Sequence, residues 1–280
     1  MEPLRSFPHT VTNPLQLEEF LNAIQYRVAQ NKDELEKAFT LVYKEYLKRG
    51  YVQESPTQLR VSIFNALPQT TTFIATLDNE VITTATIVPD SPLGLPMDEI
   101  YHEELNGLRT QKLKLCEITM LASNTELFGT GVFVLLNSKK LFFIFSLFKL
   151  IFDYAREVLK LDGICITVNP KHSLTYDFLL FKELGGLKSY HHANEAPAIG
   201  KYLDLRAAEQ ACKASNREGL FKMFLTKKSD PDKYSGKYCF SPADLKYFFI
   251  NKSDVFRATA IDKIDFIKTC YPSFDFQAIL

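Results

Sequence analysis

The stretch Leu113–Ala122, LKLCEITMLA, decides the fold. Its apolar and β-branched residues read as a buried strand, yet a carboxylate, Glu117, stands in the middle. A second such run, Leu161–Val168 (LDGICITV), follows a long helical pattern from about Gly131 to Lys160. Strand, helix and strand in series form a crossover unit, which favours parallel or splayed neighbouring strands. A mid-strand charge is costly to bury without a partner or a role, so Glu117 is the first candidate for chemistry. A salt bridge to Arg109 is the structural alternative.

Upstream, Tyr26–Ala29 reads as a short strand, and a helix is predicted from about Lys32 to Arg49. Asn31 and Glu34 form a capping-box pattern at its start, Leu35, Ala38, Phe39, Val42, Tyr43, Tyr46 and Leu47 make one apolar face, and Gly50 ends it. Thr71–Thr76 and Val81–Val88 read as a hairpin around Asp78-Asn79-Glu80. The segment Asp90–Pro96, DSPLGLP, is a loop leading into a short helix, Met97–Leu108. After Asn169-Pro170 a helix is predicted from about Ser173 to Leu184, stopping at Gly185-Gly186, and Tyr202–Leu205 closes as a strand. Helices over Glu209–Thr226, Ser241–Asn251 and Asp262–Thr269 complete the chain. The expected class is α/β (α+β): a mixed, twisted sheet with helices on both faces, and a C-terminal helical extension. The expected divisions are an N-terminal extension (1–25), a core (26–206) and the extension (207–280).

Lys plus Arg equals Asp plus Glu, 33 each, so no global field exists to hold a polyanion, and nucleic acid is not an expected partner. The five cysteines are irregularly spaced, without a C-x-x-C pair or a histidine at ligand spacing. No metal is expected, and Cys116 and Cys165 read as small core residues. His191-His192 reads as loop surface. The first nine residues show no secretory signal, and the apolar run Leu141–Phe152 is short of the ~18 residues a membrane span needs. A cytoplasmic protein without a transmembrane segment is expected.

The order from Leu113 to Gly185 resembles the core of GNAT acyltransferases. Glu126-Leu-Phe-Gly129-Thr-Gly131 has the glycine spacing of their acetyl-CoA loop, but begins with Glu where that loop carries Gln or Arg. Over residues 26–205 the chain resembles the FeeM-type N-acyl amino acid synthases, relatives of the acyl-homoserine-lactone synthases. The resemblance is carried by Tyr26-Arg-Val-Ala29, Tyr43-x-x-Tyr46 with Gly50-Tyr51, Asp90–Pro96, Glu103-Glu-Leu105 with Leu108-Arg109, Cys116-Glu-Ile-Thr119, Asn169-Pro-Lys-His172 with Tyr176, and Ala196-Pro-Ala198.

That resemblance implies a long-chain acyl thioester as co-substrate, on acyl carrier protein or coenzyme A, an amino acid as acceptor, and no tightly bound cofactor. It implies Glu117 as proton acceptor from the attacking amine. Tyr176 is a candidate acid for the leaving thiolate or else a core tyrosine, and His172 a second acid or base or else a turn histidine. Arg60 and Arg109 are candidates for holding an acceptor carboxylate, or surface ion pairs. Phe128, Val132 and Phe133, with the Leu141–Phe152 helix, are candidates for an acyl slot, and Thr84 is a further candidate for substrate binding. The lactone synthases carry Arg where this chain has Met120. Two rival readings remain: a coenzyme A-dependent acetyltransferase of the same fold, and an inactive acyl-sensing module.

Overall fold

The computed structural model describes residues 21–128, 134–215, 218–222, 224 and 228–280. Its strands are β1 (Gln25–Val28), β2 (Thr71–Leu77), β3 (Glu80–Pro89), β4 (Leu115–Ser123), β5 (Gly163–Val168), β6 (Lys182–Tyr190) and β7 (Ala196–Asp204). They form one seven-stranded mixed sheet in the order β1-β2-β3-β4-β5-β7-β6. Asp78 and Asn79 both adopt positive φ, 48° and 63°, which is the two-residue turn whose twist suits a hairpin between β2 and β3.

Helices cover both faces of this sheet. On one side lies α1 (Lys32–Leu47), with Asn31 capping the Glu34 amide and the Glu34 carboxylate reaching back to the Gln30 amide. Such a cap is worth ~1 kcal/mol. The same side carries α2 (Asp98–Arg109); the other face is covered by α3 (Val134–Asp153), which runs on into a π-helical turn, Tyr154–Val158. Leu147, Phe148 and Ile151 of α3 pack against Cys116, Ile118 and Ile166 of the sheet. Phe148 and Phe152 are ordinary core, and among the described residues no helix is long and apolar enough to cross a membrane.

Between the two faces, β4 and β5 pair in parallel from Leu115–Gly163 to Ile118–Ile166 and then part. Just beyond the last pair, β4 bulges against β3, because Thr84 faces Ala122 while Thr86 faces Thr119. Met120 takes φ +54° in the bulge, a left-handed conformation that costs an ordinary side chain ~1–2 kcal/mol. The extra residue reverses the alternation of the strand. Cys116 and Ile118 face α3, whereas Met120 and Ala122 pack beside α1. The Asn65 amide donates to the Met120 sulfur at 3.4 Å and fixes the turned side chain.

The helix expected over Ser173–Leu184 is cut short. After α4 (Ser173–Phe178), Leu180 takes φ +69° and Lys182 already begins β6. The glycines read as a helix stop serve a sheet instead: a Cβ at Gly185 would lie 2.4 Å from the Tyr101 ring. Tyr101 lies against that bare backbone and donates to the carbonyls of Gly186 (2.8 Å) and Ala198 (3.0 Å), tying α2 to β6 and β7. The helix expected over Glu209–Thr226 is likewise divided, into α5 (Ala208–Ala214) and α6 (Glu218–Phe221).

The final helices are α7 (Pro242–Lys246), which continues as a π turn over Tyr247–Asn251, α8 (Val255–Ala258), α9 (Ile261–Cys270) and α10 (Phe276–Ile279). Ser241 and Asp244 cap α7 reciprocally. This extension shares one apolar cluster with α1, in which Phe248 meets Phe39 edge-on at 5.7 Å. The Tyr271 hydroxyl donates to the Ala66 carbonyl at 2.8 Å.

Candidate active site

Where β4 and β5 diverge, a cavity of about 730 Å³ opens. Its floor is β4, with Glu117 at the last rungs of the parallel ladder. Only 1% of Glu117 is exposed, and no cation pairs with it among the described residues. One carboxylate oxygen accepts the Met97 amide at 2.7 Å, at the start of α2, and the other accepts the Thr167 hydroxyl at 3.5 Å. Burial pushes the carboxyl up to about 8; the Met97 amide opposes this, and nearby Asp98 adds to it. A carboxyl in that range exchanges a proton near neutrality, as a general base must.

Arg109 does not pair with Glu117 and does not line the cavity. Its guanidinium grips Asp90 (2.7 and 2.9 Å) and Asp98 (2.7 and 2.6 Å), and Asp98 in turn accepts the Leu95 amide at 2.6 Å. These bonds staple the 90–97 loop to α2 and so fix the amide that Glu117 uses. Of the two readings of Arg109, holder of an acceptor carboxylate or ion pair, the geometry matches the second, with two aspartates occupying its donor fork.

Arg60, by contrast, lines the cavity. Its guanidinium donates to the His192 carbonyl at 2.8 Å and has no carboxylate partner among the described residues. His192 also lines the cavity and reaches Glu99 of α2 at 2.9 Å, so it is more than loop surface, and His191 pairs with Glu195. These carboxylates come from across space or from the same turn. No cluster of metal-ligating side chains occurs among the described residues.

Tyr46 and Tyr190 face the same space. The Tyr190 hydroxyl donates to the Pro96 carbonyl at 3.3 Å. Burial pushes Tyr46 up to about 12, while Arg60 pulls it down and Glu117 adds to the rise, which marks their proximity. In the sequence Tyr46 counts as one more residue of an apolar helix face. Its partly buried ring packs against the core beside α1, which suits that reading, but its edge belongs to the site.

Tyr176 on α4 lines the cavity from the other side, its ring against Phe148 and Phe181. Burial holds its hydroxyl well above the ordinary phenol range. His172 is exposed at the rim of the same cavity. Ile118, Ile144, Ile166 and Val168 make this side apolar. Thr84 lies away from the cavity; its buried hydroxyl donates to the Phe73 carbonyl at 2.9 Å inside the hairpin. Val132, Phe133 and the Gly129–Gly131 loop lie outside the described residues, as does the side chain of Phe128. Glu126 is exposed and pairs with Lys48 at 2.9 Å. Cys116 and Cys165 are buried, and burial raises both thiols, which makes them core rather than nucleophiles.

Comparison with known proteins agrees with this geometry. The family model of the N-acyl amino acid synthase FeeM matches residues 37–204. The solved structure of FeeM, an N-acyl amino acid synthase from uncultured soil microbes, is 30% identical, with a TM-score of 0.57 over 67% of this chain and 93% of that one. The AHL synthase LasI is 14% identical, with a TM-score of 0.47 over 74% of this chain and 98% of that one. An N-acetyltransferase from Staphylococcus aureus Mu50 is 16% identical, with a TM-score of 0.42 over 65% and 98%. A comparison with curated proteins gives no match. With its mixed sheet, its parted central strands and a family match over more than half its length, the chain is an N-acyltransferase of α/β fold and belongs to the FeeM family of N-acyl amino acid synthases.

Proposed function

We propose that the protein transfers a long-chain acyl group from an acyl thioester, carried on acyl carrier protein, to the amino group of a free amino acid. The observation that carries this reading is the pairing, within one cavity, of a buried unneutralised carboxylate, Glu117, and a guanidinium with no carboxylate partner among the described residues, Arg60. Arg60 suits the acceptor's carboxylate, since its fork matches two oxygens at once. The apolar side between Ile118, Ile144, Ile166 and Val168 suits the fatty chain, at ~0.8 kcal/mol for each CH₂ enclosed.

In this mechanism Glu117 takes a proton from the acceptor ammonium, and the neutral nitrogen attacks the thioester carbonyl carbon. Main-chain N–H groups of the Met120 bulge, beyond the last β5 pair, hold the oxyanion. The C–N bond forms and the C–S bond breaks; of the two protons the nitrogen gives up, one passes through Glu117 to the thiolate, which the Tyr176 hydroxyl meets as hydrogen-bond donor, and the other leaves to solvent.

The test supplies acyl carrier protein and coenzyme A thioesters of several chain lengths with a pool of amino acids, and reads products by mass spectrometry. An N-acyl amino acid formed faster from the carrier-protein thioester is expected, and Arg60→Ala should raise the acceptor KM while leaving the donor KM unchanged. Acetyl-CoA consumption without long-chain product would favour the acetyltransferase reading instead. Bound acyl chain with no turnover would favour a sensor.

A further inference from the structure

The family match ends at residue 204, yet four residues of the C-terminal extension, Asp254, Val255, Ala258 and Thr259, line the same cavity as Glu117. We propose that α8 is the wall that selects the acceptor's side chain, admitting non-acidic side chains up to a size set by Val255, Ala258 and Thr259. This rests on the amino-acid reading above.

Three observations place α8 on the acceptor side. Phe256 is buried and stacks on Phe249 with ring centroids 5.0 Å apart and planes at 15°, which anchors one side of the short helix in the core. Residues 255, 258 and 259 stand three and four apart, so they share the remaining face, which is turned to the cavity. The cluster that holds Phe256 also contains Val61, Ile63 and Phe64, the residues just after Arg60, and none of the Ile118, Ile166 and Tyr176 group on the acyl side.

The chemistry of that face is that of a size filter. The Thr259 hydroxyl donates to the Val255 carbonyl at 2.7 Å, so its hydrogen is spent within the helix and is not offered to a ligand. Ala258 is the smallest residue of the wall, and space over it is what a longer acceptor side chain would occupy. Asp254 is exposed where α8 begins. Its carboxylate disfavours acidic acceptors by repulsion between like charges.

The experiment measures kcat/KM for glycine, alanine, leucine, phenylalanine, tyrosine and glutamate with one saturating acyl carrier protein thioester, for the full-length chain and two variants. Ala258→Phe should lower kcat/KM for phenylalanine and tyrosine by roughly tenfold or more, while glycine and alanine change by less than about twofold. Val255→Ala, which only removes bulk, should shift preference toward the larger acceptors. An equal loss across all acceptors, or no change in either variant, overturns the role of α8 alone. A wild-type protein that turns over acyl thioester but acylates no amino acid overturns the reading of the site and this inference with it.

Discussion

Glu117 owes its properties to where the strand places it, and pH reports on them. Activity should rise as its carboxylate forms, so kcat/KM is expected to increase about tenfold per pH unit and to level off above about 8. Glu117→Gln can still accept the Met97 amide but cannot take a proton, and should lose about 10²- to 10⁴-fold in kcat. Stability should carry the same signature. The folded chain holds this proton up to about 8, whereas the unfolded chain releases it near 4.5, so the native state binds more protons between those values and loses stability as pH rises through them. Thermal melts between about pH 5 and 9 should therefore show the wild type falling further than Glu117→Gln. A parallel decline in both proteins would mean that another group sets the slope. The position of Glu117 in a buried strand was legible in the sequence, where a carboxylate inside LKLCEITMLA needs either a partner or a role. Tyr46 was not, since the 3.6-residue period that marks a buried helix face says nothing about which ring ends at a cavity.

Among the elements, the 90–97 loop and α2 matter because they deliver one amide. Arg109 is a positioning residue: it touches Asp90 and Asp98, and through Asp98 the Leu95 amide, but not the cavity. Arg109→Met should cost roughly 2 kcal/mol of stability, the worth of a charge-assisted bond left unmade. It should also move the pH midpoint upward from about 8, because the Met97 amide is the principal contact favouring the charged form of Glu117. A destabilised variant with an unmoved midpoint would leave Arg109 a purely structural role. The partners of this arginine lie 11 and 19 residues away, and His192 meets Glu99 from another element, so spacing along the chain could not disclose either. Strands β1 to β5, α1 and α2 were legible because alternation, caps and turn residues agreed. The segment from Leu180 to Tyr190 was not: Gly185 looks like a helix stop until Tyr101, far upstream, is seen to need its bare backbone.

For the whole molecule, the parting of β4 and β5 has a mechanical side. Among the described residues the ladder that joins β1–β4 to β5, β7 and β6 runs from Leu115–Gly163 to Ile118–Ile166, so the sheet is two plates riveted along a short seam. A fatty chain wedged at the open end would touch both plates and brace them. Deuterium uptake at the seam amides should then slow when a thioester analogue with a long chain is bound, while the hairpin turn at Asp78-Asn79 exchanges as before. Unchanged uptake at the seam would mean that the plates are already locked. The same gap that gives the acid a cavity to work in therefore makes the protein's stiffness a measure of what it is carrying.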